Sequence, residues 1–157
     1  MAGSVLDVGS GTGTLSQFAR KVRSDLLFTM IDPAAGMLRF APDFARKVLG
    51  RAENLPFPDE GFDAVFVGDS LHHFSEPRRA VMELRRVMKK GGMLVVFEID
   101  PGSLLGAMIT GGEKIFREPA HFLRPGELAE RLAEAGFECA VSRFDWRYAI
   151  MARAGGG

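Results

Sequence analysis

The sequence predicts an α/β fold: a mostly parallel sheet with helices on both faces. Three observations carry this. Short apolar runs alternate along the chain with segments of helical periodicity. The early runs are apolar throughout, as strands buried on both faces are. Near the end, two strand-like runs stand only a few residues apart, a joint that permits an antiparallel hairpin and no parallel crossover.

In order, Ser4 to Val8 is a strand that stops at glycine. Thr14 to Val22 places Leu15, Phe18, Ala19 and Val22 at helical spacing. Leu26 to Ile31 is a second strand, ending at Asp32. Ala34 to Phe40 reads as a short helix and Lys47 to Gly50 as a weak strand. Glu53 to Gly61 has two prolines and a glycine and is a loop. Phe62 to Val67 is a fourth strand. Pro77 to Met88 carries the stripe Ala80, Val81, Leu84, Val87. Its last turn is basic (Lys89, Lys90), and Gly91-Gly92 reads as its stop. Met93 to Ile99 is a fifth strand. Pro125 to Ala135 is a helix closed by Gly136, and Phe137 to Arg143 with Trp146 to Ala152 forms the hairpin. The segment Pro101 to Pro119 reads in two ways: an irregular loop with a short buried helix, or a lid over a pocket.

The 157 residues suit one domain, with no repeat and no second domain visible. Twenty basic residues balance twenty acidic ones, which argues against a general nucleic-acid binder. Cys139 is the lone cysteine, so there is no internal disulfide and no cysteine cluster for a metal. This fits a reducing cytoplasm. The first apolar run, broken by Asp7 and glycines, is no signal peptide. No run reaches the roughly 20 apolar residues of a membrane span.

Gly9-Ser10-Gly11-Thr12-Gly13 sits between a strand and a helix, the cradle for a nucleotide-like ligand at the carboxyl ends of parallel strands. Its G-x-G-x-G spacing departs from the dinucleotide G-x-G-x-x-G, since position 14 is threonine. Asp32 stands where such folds place an acid for ribose hydroxyls. It is also placed to cap the helix near Ala34, and the two roles coexist. Pro33 and Met37 are apolar neighbours for an adenine ring.

The runs "VLDVGSGTG", "IDPAAGML", "RAENLPFPDEGFDAVF", "LHHF", "LRRVMKKGGMLVVFE" and "FLRPGELAERLAEAGF" resemble, in order, the motifs of class I S-adenosylmethionine-dependent methyltransferases. The group is the small-molecule type that includes the ubiquinone and menaquinone biosynthesis methyltransferases. The resemblance implies a Rossmann-like three-layer sandwich whose seven-stranded sheet is mostly parallel with an antiparallel last strand. It implies S-adenosyl-L-methionine as cofactor. By the same resemblance Asp7, Gly9, Ser10 and Gly11 hold its methionine end, and Asp32 takes the ribose. Ala52 offers its backbone N–H to the adenine, and Asp69 and Ser70 line the sulfonium side. Arg51 replaces the family's usual aspartate, and arginine has no acceptor. Either Glu53 takes that role, or backbone and packing hold the adenine.

The implied function is direct methyl transfer to a small-molecule acceptor, with no nucleic-acid partner. The alternative is a non-catalytic domain of the same fold that binds cofactor or a partner protein. His72 and His73 are the candidate bases, with His121 weaker. Glu98 either faces the pocket or pairs with a basic neighbour. Tyr148, Trp146 and Cys139 read as packing residues. Relatives usually carry helices before the first strand that cover the cofactor. Here only Met1, Ala2 and Gly3 precede it, so cover is expected from the 101–119 segment or from another subunit, in a homo-oligomer or with a partner; otherwise the chain is a truncation.

Overall fold

The computed structural model describes residues 3–115 and 121–156. Seven strands form one sheet in the order β3-β2-β1-β4-β5-β7-β6. They are β1 (Ser4–Val8), β2 (Leu27–Asp32), β3 (Arg46–Leu49), β4 (Phe62–Gly68), β5 (Met88–Ile99), β6 (Phe137–Phe144) and β7 (Arg147–Ala154). Pairing is parallel from β3 through β5, whereas β7 runs antiparallel to both β5 and β6. The last strand in sequence is thus the antiparallel one. It enters between β5 and β6.

Among the described residues, five α-helices flank the sheet: α1 (Thr14–Val22), α2 (Ala35–Leu38), α3 (Pro77–Val87), α4 (Leu104–Ile115) and α5 (Pro125–Glu134). The stripe Ala80, Val81, Leu84 and Val87 of α3 and Leu128 and Leu132 of α5 are buried with Leu6, Val65, Leu94, Val96 and Ile150 on one face of the sheet. The other face packs Val5, Phe28 and Met30 against Leu38 of α2 and Ala19 of α1. Pro125 opens α5 with a preset φ, and Glu127 Oε2 accepts from the Arg124 N–H at 2.8 Å, satisfying a donor at the helix entry. Among the described residues no helix is long and apolar enough to cross a membrane.

Two expectations are corrected. Gly91-Gly92 does not stop a helix. Helix α3 ends at Val87, and Met88, fully buried, already pairs with Phe62. Burial of Met88 in the sheet overrides the basic-turn-plus-glycine stop signal. Gly91 does adopt φ 72°, inside an excursion of β5 between the pairs Phe62–Met88 and Ala64–Met93. The second correction concerns 101–119. Leu104 to Ile115 is a full helix, and Leu104 (85% exposed) and Met108 (68%) face outward, so it is not a buried one. Residues 116–119, the end of that segment, lie outside the described residues.

Candidate cofactor site

β1 is flanked by β2 on one side and β4 on the other, so strand order reverses there. That reversal opens a crevice at the carboxyl ends of the strands, where α/β sheets place ligands. A cavity of ≈ 550 Å³ lies there. One side is walled by Asp32, Pro33, Ala34, Met37 and the run Arg51, Ala52, Glu53. The other is walled by Gly9, Gly11, Asp69, Ser70, His73 and Phe74.

The glycine turn makes this possible. Gly9 has φ 64°, and a Cβ there would stand 2.6 Å from the Cβ and Oγ of Ser70. Only glycine lets the turn after β1 close against the residues after β4. Ser70 Oγ donates to Val8 O at 3.1 Å, locking the same junction. The turn is tied to β2 as well. The Gly9 and Ser10 N–H groups donate to Ile31 O at 2.9 and 3.2 Å, and the Gly11 N–H donates to Asp32 Oδ2 at 2.8 Å.

Asp32 is therefore a brace between two turns. Its second oxygen, Oδ1, accepts from the Ala34 N–H at 2.8 Å. This bond turns the chain two residues on. It is not a helix cap, since the N-cap of α2 is Ala34 and carries no side-chain cap bond. The link to Gly11 leaves no local signal in the sequence. It follows from the parallel pairing of β1 and β2, which sets Asp32 beside the glycine turn.

Asp7 and Ser10 stand off the cavity wall. Asp7 is 2% exposed, and the Ser16 hydroxyl donates to its Oδ2 at 2.6 Å, tying α1 to β1 behind the turn. Burial pushes its carboxyl up from 3.8 to about 6, the Ser16 bond pulling it partly back. Ser10 Oγ is buried without a hydrogen-bond partner among the described residues. Ala52 is buried and Arg51 exposed, both on the cavity wall. Glu53 Oε1 accepts from the Ser75 N–H at 2.7 Å, which aims this carboxylate at the entry of α3.

The two neighbouring histidines, alike in sequence, have different surroundings. Both lie in a single 3₁₀ turn, Leu71–His73. His73 is exposed and on the cavity wall. His72 is 3% exposed, with Nδ1 2.7 Å from Glu98 Oε2 and its ring stacked on Phe122 at 4.3 Å. Glu98 also accepts from the Leu71 N–H at 2.8 Å, so it serves the basic neighbour rather than the pocket. The His121 N–H donates to His72 O at 2.7 Å. Tyr148 is buried and donates to Leu123 O at 3.0 Å, and Cys139 packs half-buried against the main core, where burial raises its thiol pKa.

Residues 6–96 match the family described as "Methyltransferase domain". A demethylmenaquinone methyltransferase of Thermotoga maritima is 30% identical over 159 residues, covering 85% of this chain and 69% of the relative. A ubiquinone/menaquinone biosynthesis C-methyltransferase of Pseudomonas aeruginosa is 31% identical over 165 residues, and 64% of its length is spanned. A solved S-adenosylmethionine-dependent methyltransferase from Thermotoga maritima superposes with a TM-score of 0.82 at 26% identity, covering 98% of this chain and 83% of that one. With the fold and the glycine turn they describe, these matches show that the chain belongs to the class I S-adenosyl-L-methionine-dependent methyltransferases.

Proposed function

We propose that this protein transfers the methyl group of S-adenosyl-L-methionine to a small-molecule acceptor by direct in-line displacement. The cavity at the reversal of strand order carries the reading, because one wall is suited to an adenosine and the other to a charged amino-acid end. The residues fit the cofactor. The cavity falls in the ~300–1,000 Å³ range of small-molecule sites. Gly9 and Gly11 bare the backbone for close approach.

When bound, the cofactor supplies a methyl group already activated on a sulfonium. The protein's own work is to hold the ends and exclude water. Pro33 and Met37 pack the adenine, and the Ala52 N–H donates to it. Arg51 has no acceptor, and Glu53 is turned toward α3, so backbone and packing hold the ring. Each Asp32 oxygen accepts one backbone N–H and keeps a lone pair for a ribose hydroxyl. Asp69 and Ser70 flank the methionine end. His73, on the wall, is the base where the acceptor must lose a proton, whereas His72 is held by Glu98. The domain acts as one unit, with the 101–119 segment, which contains α4, as its lid. The names of the relatives make a quinol-type acceptor the first to try.

Calorimetry with the cofactor and with its demethylated product tests binding; absence of heat with both would overturn the reading. Release of demethylated cofactor with a panel of acceptors tests transfer. Binding without turnover on any acceptor selects the second reading, a cofactor-binding domain without catalysis, which Arg51 on the adenine wall favours.

A further inference from the structure

We propose that Arg147 is a positioning residue for the cofactor cavity: it holds the Asp69 carboxylate in place from the antiparallel strand β7. The inference rests on the reading of Asp69 as a neighbour of the methionine end. Asp69 lies just past β4 with φ 48°, a left-handed conformation rare outside glycine. Its N–H donates to Phe97 O at 2.8 Å, so the backbone is pinned. The side chain is not pinned by anything near it in sequence. Its carboxylate is 42% exposed and would be free to rotate at the cavity wall.

One contact prevents this. Arg147 Nη1 donates to Asp69 Oδ2 at 2.5 Å across a separation of 78 residues. Arg147 is in turn confined, with its guanidinium 4.3 Å over the Trp146 ring and 5.3 Å from the Phe97 ring centre. A planar cation stacked on aromatic rings has few orientations, which a lysine does not reproduce. Oδ1 of Asp69 makes no hydrogen bond among the described residues, so Arg147 leaves one oxygen for a cationic or N–H-bearing group in the cavity. The pair is partly exposed, so it adds little to folding stability, and its effect is orientation.

The test is calorimetric titration of S-adenosylhomocysteine into the full chain and into Arg147→Gln, Arg147→Lys, Asp69→Asn and the double variant Asp69→Asn/Arg147→Gln. Arg147→Gln and Asp69→Asn each weaken binding about three- to fivefold, the scale of one partly exposed ion pair. Arg147→Lys restores part of the loss. The double variant is no weaker than Asp69→Asn alone, because the arginine acts only through the aspartate. A purely structural arginine would instead lower the melting temperature of the ligand-free protein and weaken the double variant further, and that result overturns the inference. So does wild-type affinity in Arg147→Gln when Asp69→Asn is weakened. Wild-type affinity in Asp69→Asn overturns the placement of Asp69 itself and leaves the cofactor reading standing, while absence of binding to the wild type overturns that reading.

Discussion

Leu94 and Val95 are neighbours on β5, yet they face opposite surroundings. Leu94 is 0% exposed, among Leu84 of α3, Leu128 of α5 and Ile150 of β7, while Val95 is only half-buried and pairs with Met151, which is 53% exposed. The same contrast runs along the two faces of the sheet. The face under α3 and α5 is close-packed and apolar except where Glu98 meets His72. The face under α1 and α2 is dense only at β1 and β2, and thins across β5 and β7. It also carries Asp7 and Asp32. One face holds the sheet together; the other is thinner, and the cavity draws on both, at the carboxyl ends of the strands.

The largest expected effect tests this directly. Leu94→Ala should cost about 2–5 kcal/mol in urea unfolding, from lost transfer and an unfilled cavity between two helices and the sheet. Val95→Ala should cost less, about 1 kcal/mol, since Val95 is only partly buried and leaves a smaller cavity. Equal losses at the two positions would erase the distinction between the faces.

Asp7 sharpens the comparison next. A carboxylate on β1, buried beneath α1, is compensated by Ser16, whose hydroxyl donates to it. Its pKa is raised by burial from 3.8 unfolded to about 6 folded. The folded state therefore binds the proton more tightly. The associated stability is fully present below 3.8 and is lost as pH rises through about 6, amounting to about 3 kcal/mol by pH 7. Subtracting the pH profile of Asp7→Asn from that of the wild type isolates this term from the other carboxylates. A difference that stays flat between pH 4 and pH 7 would mean that Asp7 is solvated in solution.

What could be read in advance divides along similar lines. β1, β2 and β4 were legible because a strand buried on both faces is a continuous apolar run. The glycine turn was legible because its chemistry is local. The start of β5 was not, because Lys89-Lys90-Gly91-Gly92 after an amphipathic stripe has the composition of a helix stop, and only the pairing of Met88 with Phe62 decides otherwise. The hairpin of β6 and β7 could be expected from its short joint, but not that β7 would enter beside β5. That placement brings Arg147 to Asp69. Nor could the sequence separate His72 from His73, since the partner that buries one of them, Glu98, lies on another strand. Local signals named the candidates; pairing across the sheet assigned their surroundings.

The smallest expected effect probes the thin part of the second face. Met151 on β7 lies opposite Val95 and Ala140 and is 53% exposed. Replacing it by threonine, which keeps strand propensity, should change stability by no more than about 0.5 kcal/mol, the usual range for surface sites. The melting temperature should also be independent of protein concentration. A loss above about 2 kcal/mol that grows on dilution would give the opposite answer. A second copy would then cover this face in solution, and gel filtration of the wild type would show an oligomer that Met151→Thr weakens. Half-buried Val95 and Phe97 would become interface residues, and the contrast between Leu94 and Val95 would hold only for the separated chain.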